Sequence, residues 1–183
     1  KRSTLQRRIE RRMGVHKIED PDHYVSFLRE NGQELALLFK ELLIGVTSFF
    51  RDPKVWAHLV SEVLPQLVAA PRSEPGLRAW VPACSTGEEA YSLVIAFHEA
   101  LDSLGPETPK PSLQVFATDL DRDAVELARG GVYPERISED VCPERLERFF
   151  VREESGAYRV SNQVRHAVVF APQNVATDPP FTR

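Results

Sequence analysis

The side chains best suited to chemistry lie in one short segment, Pro82-Ala83-Cys84-Ser85-Thr86-Gly87-Glu88-Glu89. An apolar run, Leu77 to Val81, precedes it, and a long helix-patterned stretch from Gly87 to Leu104 follows. A strand-to-helix turn that grips a dinucleotide carries several glycines, so that a pyrophosphate can approach the helix N-terminus. This turn has a single glycine, and two carboxylates stand in the first helical turn. Carboxylates suit the positive end of a helix but repel a phosphate. The bland reading is that Glu88 and Glu89 only complement the helix dipole. The chemical reading is a nucleoside ligand without phosphates, carrying a positive charge. S-adenosylmethionine (SAM), with its adenosine, sulfonium and amino-acid tail, has that character.

Two further segments fall where ligands of open α/β sheets bind, beyond the carboxyl ends of the strands. Asp119 closes a second apolar run, Leu113 to Thr118, and lies 32 residues after Gly87. An acid at such a place in a βαβ nucleoside site grips the ribose hydroxyls. Asp121 reads as the N-cap of the next helix, 121 to 129. Asn174 follows a third run, Ala167 to Phe170. Its amide offers a donor and an acceptor to a base edge, or else it is simply a turn residue. Thr47 and Arg51 stand in Gly45-Val46-Thr47-Ser48-Phe49-Phe50-Arg51-Asp52, with the two phenylalanines read as packing.

The elements that must position these residues fall into two patterns. Residues 1–70 read as helical, 71–76 as a linker containing Pro71, Ser73, Pro75 and Gly76, and 77–183 as strands alternating with helices. Alternation means βαβ units and a parallel sheet, an α/β fold. Three strands are few for a doubly wound sheet, so the sheet is expected to be incomplete in this chain. In the helical part, Leu5, Ile9 and Met13 form one stripe; Arg7, Arg8, Arg11 and Arg12 are expected on the exposed side. Leu35, Leu38, Phe39, Leu42 and Leu43 are expected inward on a third helix, and Val55, Trp56, Leu59, Val63 and Leu67 on a fourth. Asp20-Pro21 and Asp52-Pro53 both read as a cap followed by proline.

Composition narrows the class. Across 183 residues the hydrophobic share is 42% and the charged share 27%, as in a globular protein. No apolar run approaches the roughly 20 residues of a membrane span, and the first residues lack the apolar stretch of a signal peptide. The two cysteines are too few for a disulfide framework or a zinc site, so no metal is expected and a reducing cytoplasm is the natural setting. The net charge of −4 is uneven: residues 1–17 hold seven Lys/Arg against Glu10. That asymmetry suits an acidic partner, or a solvated helix face.

Taken together the segments resemble the CheR-type chemotaxis receptor methyltransferases. Leu43-Ile44-Gly45-Val46-Thr47-Ser48-Phe49-Phe50-Arg51-Asp52-Pro53 is similar to the signature at the end of that family's helical domain. Ser85-Thr86-Gly87-Glu88-Glu89-Ala90-Tyr91-Ser92 resembles its first methyltransferase motif, and Phe116-Ala117-Thr118-Asp119-Leu120-Asp121 its second. Arg129-Gly130-Gly131-Val132-Tyr133 and Arg148-Phe149-Phe150 look like further landmarks.

The resemblance implies an all-α N-terminal domain followed by a Rossmann-like class I SAM methyltransferase sheet. It implies O-methylation of glutamate side chains on the cytoplasmic helices of methyl-accepting chemoreceptors, with S-adenosylhomocysteine (SAH) as product and no nucleic acid or membrane insertion. A non-catalytic SAM- or SAH-binding or scaffolding domain of a multidomain signalling protein is the alternative. By the same resemblance, Pro82, Glu88, Asp119, Asn174, Val175, Thr47 and Arg51 line the cofactor site. Arg51 is the candidate for orienting a carboxylate, of SAM or of the substrate, and Arg7, Arg8, Arg11 and Arg12 would meet an acidic receptor helix. Gly45 stands where the family often has Asn. A Cys-Arg-Asn-like strand and a small β-subdomain are expected to be missing.

Overall fold

The structure, a computed structural model, describes residues 3–43, 45, 47–70, 76–102, 104 and 110–179. It divides into two compact units, 1–45 and 46–183. This differs from the boundary expected at residue 70. Residues 71–75 of the expected linker lie outside the described residues, and Gly76 is the first residue of a strand.

The first unit is three helices: α1 (Thr4–Val15), α2 (Pro21–Glu30) and α3 (Gly32–Leu42). Each start is capped by a side chain that accepts a backbone N–H: Ser3 from Gln6, Asp20 from Asp22 and His23, Asn31 from Glu34. The apolar core is small, with Met13, Tyr24 and Leu38 buried. Leu42 and Leu43 are half-buried, but Leu35 and Phe39, expected inward, are 51% and 47% exposed.

At the centre of this unit is a carboxylate. Glu34 is 2% exposed and is forked by Arg12, whose Nε donates to Oε1 at 2.9 Å and whose Nη2 bonds Oε2. The Tyr24 hydroxyl donates to Oε1 at 2.7 Å, and His16 Nε2 lies 2.7 Å from Oε2. Arg12 therefore does not belong to an exposed basic strip: burying Glu34 required a cation, and Arg12 is drawn inward to supply it. Arg8 is also turned in, its guanidinium donating to the carbonyls of Glu41 and Leu43 at the end of α3. Arg7 and Arg11 stay exposed.

The second unit starts with α4 (Pro53–His58), which runs through a π-helical turn, Leu59–Val63, into α5 (Leu64–Ala69). The extra residue in a π turn rotates the apolar face. Beyond the turn Leu64 and Val68 are therefore the buried residues and Leu67 is exposed; Val55, before the turn, is exposed as well. The turn's cause is Pro65, which has no N–H and whose ring clashes with the carbonyl four residues back, at Ser61. These helices pack with Phe97, Ala100 and Leu101, which explains why 53–69 belong with the sheet and not with the first unit.

The sheet follows: β1 (Gly76–Pro82), α6 (Glu88–Asp102), β2 (Ser112–Asp119), α7 (Arg122–Gly130), β3 (Val132–Tyr133), a 3-10 turn Glu135–Glu139, α8 (Pro143–Phe149), β4 (Phe150–Arg152), β5 (Tyr158–Val160), α9 (Asn162–Arg165) and β6 (Val168–Pro172). The parallel sheet has the order β1-β2-β6, with Pro82 beside Thr118 and Asp119 beside Pro172. The α/β class and the three expected strands are thus present. Val81, Val115, Ala117, Val168 and Phe170 are buried together with Tyr91, Val94 and Ile95 of α6. Trp80 and Val169, on the other side of the pleat, are 50% and 47% exposed.

Between α7 and β6 stands a second sheet, antiparallel, in the order β3-β5-β4. The expectation that no small β-subdomain is present is corrected to that extent. Its strands, two or three residues long, are too short to show an alternating pattern. No helix of the described residues is long and apolar enough to cross a membrane.

Candidate functional site

The β1–α6 turn is held by its own backbone. Cys84 N–H donates to the Thr118 carbonyl at 3.0 Å, tying the turn to the end of β2, and Gly87 N–H donates to the Cys84 carbonyl at 2.9 Å. Ala83 and Ser85 adopt left-handed φ values of 54° and 48°, where a side chain is strained. Strain of this kind concentrates at ligand sites. Gly87 has φ 95°, and a Cβ there would lie 2.9 Å from Ala128 Cβ and 3.0 Å from the Phe170 ring. Only glycine fits, which accounts for the one glycine in the segment.

Asp119 sits beyond β2 and clamps this turn to the next. Its Oδ2 accepts the Ser85 N–H at 2.7 Å, and its Oδ1 accepts the Asp121 N–H at 2.9 Å. Each oxygen keeps a further lone pair for a hydroxyl donor. Asp121 caps α7, as expected, accepting from Asp123 and Ala124 N–H.

Glu88 opens α6. The Thr86 hydroxyl lies 2.9 and 2.7 Å from its two carboxylate oxygens. Among the described residues no ion pair reaches this carboxylate within 4.0 Å. Burial pushes its pKa up; the Thr86 hydroxyl and the more distant Arg136 pull the other way. Cys84, buried beneath the turn, is pushed up to about 12 by burial and then by Asp119, so it stays a thiol.

The segment holding Thr47 and Arg51 is fastened to the same place. Phe50 N–H donates to the Ser92 hydroxyl at 3.1 Å, and that hydroxyl donates to the Glu88 carbonyl at 2.7 Å. The Phe49 ring meets Tyr133 edge-on at 4.9 Å and Phe150 at 5.4 Å, while Phe50 carries the Arg145 guanidinium at 3.8 Å. Phe50 and Asp52 are left-handed, with φ of 50° and 58°. Asp52 therefore does not cap α4 with its side chain, unlike Asp20 before α2. Thr47 is half-buried, and Arg51 is exposed.

The structure thus brings Pro82, Glu88, Asp119 and the Thr47–Arg51 segment to one end of the sheet. Asn174 and Val175 follow β6 at that end, where Gln173 N–H donates to the Asp119 carbonyl at 2.9 Å. Asn174 Oδ1 accepts the Ala176 N–H at 3.0 Å, the arrangement of a turn residue, and Val175 is exposed. Two contributors lay in quoted motifs without a role: Thr86, whose hydroxyl two residues before an acid is a local signal, and Tyr133, whose partner is 47 residues away.

These residues fit a cationic nucleoside: close backbone approach at Gly87, spare carboxylate lone pairs at Asp119, and at Glu88 a half-buried acid with no ion pair among the described residues. Residues 45–183 match the family described as CheR methyltransferase, SAM binding domain, and residues 1–43 match CheR methyltransferase, all-alpha domain. The chain belongs to the CheR methyltransferase family. The cofactor of its matched domain is SAM.

Among CheR relatives, the chemotaxis protein methyltransferase of Escherichia coli (strain K12) is 33% identical over 180 residues, covering 96% of this chain and 59% of that one. Chemotaxis protein methyltransferase 2 of Vibrio cholerae is 28% identical over 179 residues, covering 96% and 60%. An uncharacterized 104.1 kDa protein of Rhodobacter capsulatus is 44% identical over all 183 residues, which are 19% of its length. The chain therefore spans about three-fifths of the chemotaxis methyltransferases it matches and about a fifth of the larger protein.

Proposed function

We propose that this chain carries cofactor-binding elements of an enzyme that methylates glutamate side chains on the cytoplasmic helices of chemoreceptors. The observation that carries the reading is the acidic single-glycine turn, in which Glu88 is half-buried, has its pKa raised mainly by burial and has no ion pair among the described residues. When bound, SAM supplies a methyl group activated by its sulfonium. Asp119 would accept from the ribose hydroxyls, and Glu88 would meet the positive charge of the amino-acid tail. Thr47, Pro82, Asn174 and Val175 would line the remainder. Arg51 would orient a carboxylate through a charge-assisted hydrogen bond. A substrate glutamate is already ionised near neutral pH and needs no general base, so the residues have only to align it and exclude water.

Receptor docking falls to the exposed pair Arg7 and Arg11 on α1, Arg11 pairing with Glu41 at 2.9 Å while staying open to solvent, since Arg8 and Arg12 are turned into the helical unit. Steering by exposed charge acts on association rate and is screened over about 10 Å at 0.1 M salt. The placement in a larger relative favours a second reading, a SAM-binding module without transfer activity.

The test is transfer of labelled methyl from SAM to receptor by the full-length protein, read at low and high salt. The first reading expects base-labile label on receptor glutamates. It also expects R7E/R11E to slow transfer several-fold at low salt without changing SAH affinity. SAH binding with no label on any receptor would leave the second reading; indifference to the double reversal would return α1 to a solvated face.

A further inference from the structure

We propose that Tyr133, on the small antiparallel sheet, is a positioning residue for the cofactor turn and for the Thr47–Arg51 segment at once. The proposal rests on the SAM-binding reading of that site. Tyr133 is 5% exposed, and its hydroxyl donates to the Thr86 carbonyl at 2.6 Å. Thr86 is the residue whose hydroxyl holds the Glu88 carboxylate. The same tyrosine presents its ring edge-on to Phe49 at 4.9 Å, two residues from both Thr47 and Arg51. One side chain therefore fixes two stretches of backbone that carry candidate cofactor ligands, 47–51 and 83–88.

Its own placement is tightly determined. Gly131 ends α7 in a left-handed conformation, φ 62°, with its N–H bonded to the Leu127 and Ala128 carbonyls. A Cβ on Gly131 would press on the Tyr91 hydroxyl at 3.2 Å and Arg165 Cδ at 3.3 Å. Two residues later Tyr133 pairs with Tyr158 of β5, and the Gly131 carbonyl accepts the Val160 N–H at 2.8 Å. The small sheet thus fixes the point from which the tyrosine reaches the turn. The hydroxyl is the informative atom, because an ordinary core position at this depth is filled as well by phenylalanine. Here phenylalanine would leave the Thr86 carbonyl without its buried donor.

The experiment compares wild type, Y133F, T86V and the double variant in the full-length protein, by SAH calorimetry, thermal melting and steady-state kinetics. Y133F keeps the ring against Phe49 and removes only the hydrogen bond. It should weaken SAH binding about five- to tenfold and raise KM for SAM more than it lowers kcat. Y133F and T86V should be non-additive, since both act through one turn. A Y133F protein that melts lower but binds SAH as wild type does would make Tyr133 a core residue only, as would additive effects in the double variant. Wild type that fails to bind SAH would overturn the underlying reading of the site and this proposal with it.

Discussion

Glu34 in the helical unit is buried and Glu88 at the β1–α6 turn is half-buried, and their carboxyls are pushed in opposite directions. The Arg12 fork holds Glu34 down to about 2, helped by the Tyr24 hydroxyl and His16 against the opposing effect of burial. Tyr24, buried against that carboxylate, is pushed up to about 12. At Glu88 burial is the largest influence and raises the pKa; the Thr86 hydroxyl, the residue's own backbone N–H and Arg136 oppose it less strongly, and no ion pair forms among the described residues. The helical unit contains the cation that its buried acid needs. On the proposed reading, the β1–α6 turn leaves its acid for a cation that arrives with the ligand. On that reading, a desolvated carboxylate serves structure or ligand binding according to whether the fold itself supplies the counter-charge.

The widest difference should appear when both acids are made neutral amides. E34Q leaves Arg12 with Glu41 alone, 3.5 Å away, and should destabilise the helical unit by about 3 kcal/mol, the lower end of the cost of breaking a buried pair. E88Q removes a charge held at a desolvation cost and should leave apo stability equal or higher. Thermal and urea unfolding of both variants would check the signs; a loss of stability in E88Q matching that in E34Q would dissolve the contrast. Acid sharpens it. Glu34 has a folded pKa below its ordinary value of 4.5, so its stabilisation is present above that value and lost as pH falls through about 2.

A smaller effect, on affinity, is expected at Asp119. D119A should weaken SAH binding by about 1–3 kcal/mol, because its partners include the Ser85 and Asp121 N–H groups as well as the ligand. Calorimetry would read it, and an unchanged dissociation constant would remove Asp119 from the site.

Much of this was legible in the chain because local chemistry decides it. The caps at Asp20 and Asp121, the single glycine of the turn and the acid ending β2 all depend on neighbours within a few residues. What escaped depends on distant partners. Arg12 lies on the polar side of α1 by periodicity, and Glu34, 22 residues on, pulls it inward together with Glu41. The register of α4 and α5 is set by a π turn that no hydrophobic period announces. The boundary at residue 45 follows from what 53–69 pack against, which composition does not record. Tyr133 stood in a quoted motif, but its role needs a fold that brings Thr86 to it from 47 residues away.

The most direct test titrates wild type and E88Q with SAH and with NAD, at neutral pH and again at mildly acid pH. The account predicts that wild type binds SAH and gives no heat with NAD. Because a bound cation favours ionised Glu88, SAH affinity should fall as pH is lowered toward the raised Glu88 pKa, with a proton released on binding there. E88Q should bind SAH at least about tenfold more weakly, the loss of one charge-assisted contact, and show no such proton release. Tight NAD binding without SAH binding, or E88Q that binds SAH as wild type does, would contradict the assignment of this turn.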